Sequence, residues 1–125
     1  MKIALLQSEL VWENVQANLV HFSKQIQAIT EHVELIVLPE MFTTGFTMNP
    51  ANCSETMEGE VMQWMKKIAQ ERQVAITGSL IIKEQDTYFN RLIFVYPNGE
   101  YKFYNKRHLF ALTGEDKVYG KGNEK

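Results

Sequence analysis

The sequence predicts an α/β fold in which a mixed sheet carries two helices on one face. Three observations predict it. Short apolar runs of strand length alternate with two segments of helical periodicity. The last two runs are joined by Pro97-Asn98-Gly99, a hairpin signal. The 125 residues fit a single domain over 1–125 and leave little room for a second.

Lys2 to Gln7 is expected as a short buried strand, because a continuous apolar run suits a strand covered on both faces. Val15, Leu19, Phe22, Ile26, Ile29 and Val33 then recur at helical spacing and draw one apolar stripe. Asn14 is placed to cap this helix, its side chain accepting a free backbone N–H. Gln16, Asn18, Lys24, Gln25 and Glu31 supply the polar opposite face. Leu35 to Leu38 forms the second strand, closed by Pro39, which cannot donate to a ladder. Met41 to Thr56 is a long connection of the kind that more often carries function than none. A second helix runs from about Gly59 to Gln73, with Val61, Trp64, Met65, Ile68 and Ala69 as its stripe.

Val74 to Ile82 is the third strand, and Gly78 within it marks a bulge or a close backbone approach. Tyr88 to Tyr96 and Tyr101 to His108 are the fourth and fifth strands. Parallel βαβ connections set the first three strands side by side with their carboxyl ends on one edge. The hairpin brings the fifth strand back to that edge. Glu40 is accordingly expected to end its strand beside the strand that carries Lys106. Residues 114–125 hold three of the seven glycines and read as a loop.

Composition excludes several classes. Thirteen Lys and Arg against fifteen Asp and Glu leave a net charge of −2, without the basic stripe a nucleic-acid binder needs. No apolar stretch approaches the roughly 20 residues of a membrane span. No signal peptide is visible, so the expected compartment is the cytoplasm, and Asn52-Cys53-Ser54 is a chance sequon. Cys53, the single cysteine, forms no internal disulfide. Gly-x-Gly-x-x-Gly, P-loop and Gly-x-Ser-x-Gly patterns are absent. His21 and His32 would lie about 16 Å apart along one helix, too far to share a metal, so neither a metal nor a cofactor is expected.

Two residues remain for chemistry. Glu40 leaves the carboxyl end of a strand, the edge where α/β sheets bind ligands, although a solvated loop carboxylate is the commoner occupant of such a position. Lys106 sits late in the fifth strand beside Arg107, where a surface lysine in a basic patch is the commoner case. Neither is specific alone; their flanks are. Lys2-Ile3-Ala4-Leu5-Leu6-Gln7, Leu38-Pro39-Glu40-Met41-Phe42, Thr77-Gly78-Ser79, Tyr88-Phe89-Asn90, Gly99-Glu100-Tyr101 and Tyr104-Asn105-Lys106-Arg107-His108-Leu109-Phe110 occur in that order. In this the chain resembles the carbon–nitrogen hydrolases of the nitrilase superfamily.

The resemblance implies the N-terminal half of an α-β-β-α sandwich and hydrolysis of amides or nitriles by a Glu–Lys–Cys triad. It implies Glu40 as general base, Lys106 as oxyanion stabiliser, and Glu115 and Asn90 as supporting residues. Phe42-Thr43-Thr44-Gly45-Phe46 and Lys106-Arg107-His108-Leu109-Phe110 are most similar to the omega-amidase branch. That branch releases ammonia from the terminal amide of small 2-oxo dicarboxylic acid monoamides. Arg107 and Phe42 are then the candidates for substrate contact. The expected partners are a small-molecule amide and further copies of the chain in a homo-oligomer.

The family's nucleophilic cysteine lies a few tens of residues beyond the lysine, and Cys53 does not match it by motif. The 125 residues are therefore expected to be inactive alone, as a truncated product or an ordered fragment. A non-catalytic half-domain serving as a binding or assembly module is the alternative. An unrelated small α/β ligand-binding domain, with Glu40 and Lys106 far apart, is a third.

Overall fold

The structure is a computed structural model and describes residues 1–7, 9–44, 54–85 and 87–105. Five strands form one sheet in chain order: β1 (Ile3–Leu5), β2 (Leu35–Val37), β3 (Ala75–Glu84), β4 (Thr87–Val95) and β5 (Tyr101–Asn105). Helix α1 (Val15–Gln27) joins β1 to β2, and α2 (Glu60–Arg72) lies between β2 and β3. The first three strands are parallel, with Ala4 level with Ile36 and Ile36 with Ile76. β3–β4 and β4–β5 are antiparallel. The mixed sheet is as the sequence predicts.

Alternation sorts the two faces. Ile36, Ile76, Leu80, Ile82, Ile93 and Val95 point to one side and are all buried. There they pack with Leu19, Phe22 and Ile26 of α1 and Val61, Met62, Met65 and Ala69 of α2 in one hydrophobic core. Each of these side chains except Ala69 contributes about 1.5–3 kcal/mol on burial. The indole N–H of Trp64 donates to Ser23 Oγ at 2.8 Å and ties the two helices together. Leu35, Val37, Thr77, Ser79, Ile81, Asn90, Leu92 and Tyr104 occupy the opposite face.

Local chemistry accounts for the element ends. Asn14 caps α1 as expected, its side chain accepting from the Ala17 N–H at 3.0 Å. At the hairpin, Gly99 has φ +90, and the Asn98 side chain accepts from the Glu100 N–H at 2.9 Å.

Four expectations are corrected. β1 is an edge strand with one face covered, and Ile3 and Leu5 are 50% and 70% exposed. Helix α1 stops at Gln27, and the Ala28 and Ile29 N–H groups close its last turn onto Lys24 and Ile26. Ile29 and Val33 reach the core from the segment beyond it. Asn18 is buried on α1 and not part of a solvated face. Its amide pairs twice with the backbone of Val11, at 2.8 Å each, and donates to the Thr43 carbonyl at 2.6 Å. Finally, β5 is not beside β2. β3 and β4 form a hairpin of their own, reversed where Gln85 takes φ +50, so two strands stand between Glu40 and the end of β5.

Gly78 marks a close approach. The β3–β4 ladder runs through it without interruption, pairing it with Ile93. A Cβ there would stand 2.8 Å from a Phe42 ring carbon and 3.0 Å from Leu38 Cβ. Phe42 is fully buried and has nowhere to move. Gly78→Ala is expected to lower stability by about 1–3 kcal/mol. Equilibrium denaturation checks this, and an unchanged midpoint would show that Phe42 yields freely.

Candidate active site

The candidate site lies at the carboxyl edge of the parallel strands, on the face away from the helices. A depression of about 260 Å³ is lined there by Val37, Leu38, Glu40, Thr77, Gly78, Ser79, Asn90, Leu92 and Tyr104. β2 through β5 all contribute. The structure thus brings Glu40 and Asn90 to one cavity, with Tyr104 on its far wall.

Glu40 follows β2, whose end is held from both sides. The Leu6 N–H donates to the Val37 carbonyl at 3.0 Å, and the Leu38 N–H to the Thr77 carbonyl at 2.8 Å. Beyond Glu40, the Met41 N–H donates to Ser79 Oγ at 2.8 Å and the Phe42 N–H to the Ser79 carbonyl at 3.2 Å. Glu40 itself is exposed on the rim.

Asn90, opposite Ile81 on β4, is 2% exposed. Its Nδ2 is buried and has no hydrogen-bond partner among the described residues. A buried donor of this kind carries a cost that an incoming acceptor would relieve. Phe42 is not on the wall of the depression. It sits in the core, edge-on to Phe22 and tilted against Trp64, with ring centroids 5.9 Å apart in both cases. Lys106, Arg107, Glu115 and Cys53 lie outside the described residues.

Sequence reasoning assigned no role to three residues. Ser79 was visible only as part of a motif. Arg91 is fully buried; its Nε donates to Asn105 Oδ1 at 2.6 Å and its Nη2 pairs with Glu84 at 3.1 Å. Its guanidinium lies 4.1 Å from the Phe103 ring centroid. The last described residue of β5 is thereby anchored from within the sheet. Glu55 lies under the N-terminus of α2, where its carboxylate accepts from the Val61 and Met62 N–H groups at 3.0 and 3.2 Å. It does what an N-cap side chain would, since Gly59 at the cap has none. A glutamate just ahead of a side-chain-less cap was the available signal.

Among the described residues no helix is long and apolar enough to cross a membrane. No group of three or more metal-ligating side chains is found among them either.

The family model for carbon–nitrogen hydrolases matches residues 2–124. This chain belongs to the carbon–nitrogen hydrolase family. It is 43% identical over 123 residues to the omega-amidase YafV of Escherichia coli K12, covering 98% of this chain and 47% of that protein. It is 42% identical over 125 residues to the omega-amidase YafV of Yersinia enterocolitica, covering 100% of this chain and 48% of the relative. Among solved structures, the carbon–nitrogen hydrolase superfamily protein XC1258 of Xanthomonas campestris superposes with a TM-score of 0.92 at 32% identity. That match covers 98% of this chain and 46% of the other. The chain spans about half the length of the relatives it matches, and the fold they share is that of a carbon–nitrogen hydrolase half-domain.

Burial pushes the Glu55 carboxyl above its ordinary value of 4.5, against the opposing pull of the Val61 and Met62 hydrogen bonds; neighbouring Glu60 adds to the rise. A raised folded-state value means that the folded protein holds this proton more tightly than the unfolded chain does. The stabilisation is therefore complete below 4.5 and is lost as pH rises through the folded value. The stability difference between the parent and Glu55→Gln is expected to move in the parent's favour on acidification through that window. Denaturation midpoints measured against pH check it; a difference that is flat or opposite in sign contradicts it.

Proposed function

We propose that these residues are the base- and lysine-bearing part of an amidase. It would hydrolyse the terminal amide of a small 2-oxo dicarboxylic acid monoamide and release ammonia. The observation that carries this reading is Glu40 on the rim of a depression at the sheet's carboxyl edge, in a chain similar throughout to omega-amidases.

In the proposed reaction Glu40 takes the proton of a cysteine thiol supplied from outside these 125 residues. The thiolate attacks the amide carbon, and Lys106 stabilises the oxyanion that forms. The C–N bond breaks as Glu40 returns the proton to the leaving ammonia. Glu40 then takes a proton from the water that attacks the thioester carbon and returns it to the sulfur as the C–S bond breaks and the acid leaves. Glu115 and Asn90 hold this arrangement, and Arg107 receives the substrate's carboxylate. What supports the pairing of Glu40 with Lys106 is the depression itself, which spans β2 to β5. Tyr104, two residues before Lys106, already lines it.

The chain is further proposed to self-associate. Ile3, Leu5 and Leu92 are 50%, 70% and 47% exposed on the face away from the helices, an apolar surface that a second layer would cover.

The 125-residue chain alone is expected to release no ammonia from 2-oxo acid monoamides. Turnover by it that disappears in Cys53→Ala would overturn this. Joined to the complementary half of the Escherichia coli omega-amidase, the chain is expected to regain activity. Glu40→Gln should then lower the rate by about 10²–10⁴-fold. A Glu40→Gln chimera with the parent rate would remove the base.

A further inference from the structure

We propose that Ser79 is a positioning residue for Glu40: its hydroxyl locks Met41 in the left-handed conformation that turns Glu40 out of the sheet. The inference rests on the reading of Glu40 as the base.

Hydrogen-bond register is the first support. The Leu38 N–H donates to the Thr77 carbonyl. In a regular parallel ladder the next rung would run from the Glu40 N–H to the Ser79 carbonyl. Here that carbonyl accepts from the Phe42 N–H instead, at 3.2 Å. Two extra residues are looped out between consecutive rungs, and Glu40 lies within the loop.

Backbone strain is the second. Met41 has φ +55, a conformation disfavoured for any residue with a Cβ. It persists only where the surroundings over-determine it. Ser79 supplies the determination, because its Oγ accepts the Met41 N–H at 2.8 Å in a buried setting. Met41 is 1% and Ser79 5% exposed, so in the folded protein this amide is paired by the serine and not by solvent. The Met41 carbonyl in turn accepts from the Thr44 N–H at 3.2 Å, which closes the loop on its far side. One serine thus binds two successive amides, one through its side chain and one through its backbone. Without the hydroxyl, the Met41 N–H would be buried and unpaired and the strained φ would lose its support.

The test uses the 125-residue chain, isotopically labelled, at constant pH, with Ser79→Ala, Ser79→Thr and the double variant Ser79→Ala/Met41→Gly. The readouts are the Met41 backbone coupling and carbon shifts, which report φ, and the Glu40 side-chain carboxyl resonance. Ser79→Ala is expected to return Met41 to negative φ and to shift the Glu40 resonance. Ser79→Thr, which keeps the oxygen, should preserve both. The double variant should bring the Glu40 resonance back, because glycine adopts the left-handed conformation without a Cβ clash. A merely structural serine would not be rescued at position 41. Ser79→Ala with both readouts unchanged would overturn the proposal. Should Ser79→Ala fail to fold, the parent decides: the Met41 amide is expected to exchange with solvent as slowly as the Leu38 amide of the ladder. A Met41 amide that exchanges as fast as a solvated one would overturn the proposal as well. None of these readouts requires turnover. Failure of the amidase reading would show separately, as ammonia release that survives Glu40→Gln in the chimera.

Discussion

Phe42 reaches the hydrophobic core only because Gly78, directly beneath it on β3, has no side chain. Much of the site follows from that contact. With Phe42 wedged against Phe22 and Trp64, the chain after β2 must cross back over β3 within four residues. The crossing consumes the amides of Met41 and Phe42 on Ser79 and leaves Glu40 on the outer side. Helix α1 and the turn before it secure the far end of the crossing, where the Asn18 side chain donates to the Thr43 carbonyl and the Glu13 N–H to that of Thr44. The backbone hydrogen bonds that place the candidate base are therefore set by the core.

The other half of the proposed pair has a comparable foundation. Arg91 is fully buried, yet it is held by a side-chain acceptor, a carboxylate and the faces of aromatic rings. Removing a charge of this kind from water is costly, and the cost is offset only when partners are in place. Asn105 is one of those partners, so the end of β5 is fixed immediately before Lys106. Both segments of the proposed pair are thus tied to interior polar groups on β3 and β4. The β3–β4 hairpin carries both of those groups at the centre of the candidate site.

Much of this was legible in the sequence, for identifiable reasons. Helical spacing from Val15 to Ile26, the Asn14 cap and the Pro97-Asn98-Gly99 turn are local signals, and each produced the expected element. What was not legible depended on the third dimension. Ile29 and Val33 continue the apolar stripe, yet they lie beyond the helix, because a core contact can be made from a connecting segment as well as from a helix. An apolar strand reads the same whether one face or two are covered, which is why the exposure of Ile3 and Leu5 was missed. The reversal at Gln85 carries no glycine, so the β3–β4 hairpin left no turn signature comparable to that of Gly99. At the site, Glu40 and Asn90 were found through family motifs and do line one depression. Phe42, in the same motif, turned out to serve the core, since a motif records that a residue is needed without recording which face it serves.

If the carboxylate after β2 and the lysine after β5 act on one reacting carbon, as proposed, a crystal structure of the chain will show both groups at one place. The Glu40 carboxylate and the Lys106 ammonium are expected over the same depression, within roughly 3–6 Å of each other. A separation beyond about 10 Å, or placement on opposite faces of the sheet, would contradict it.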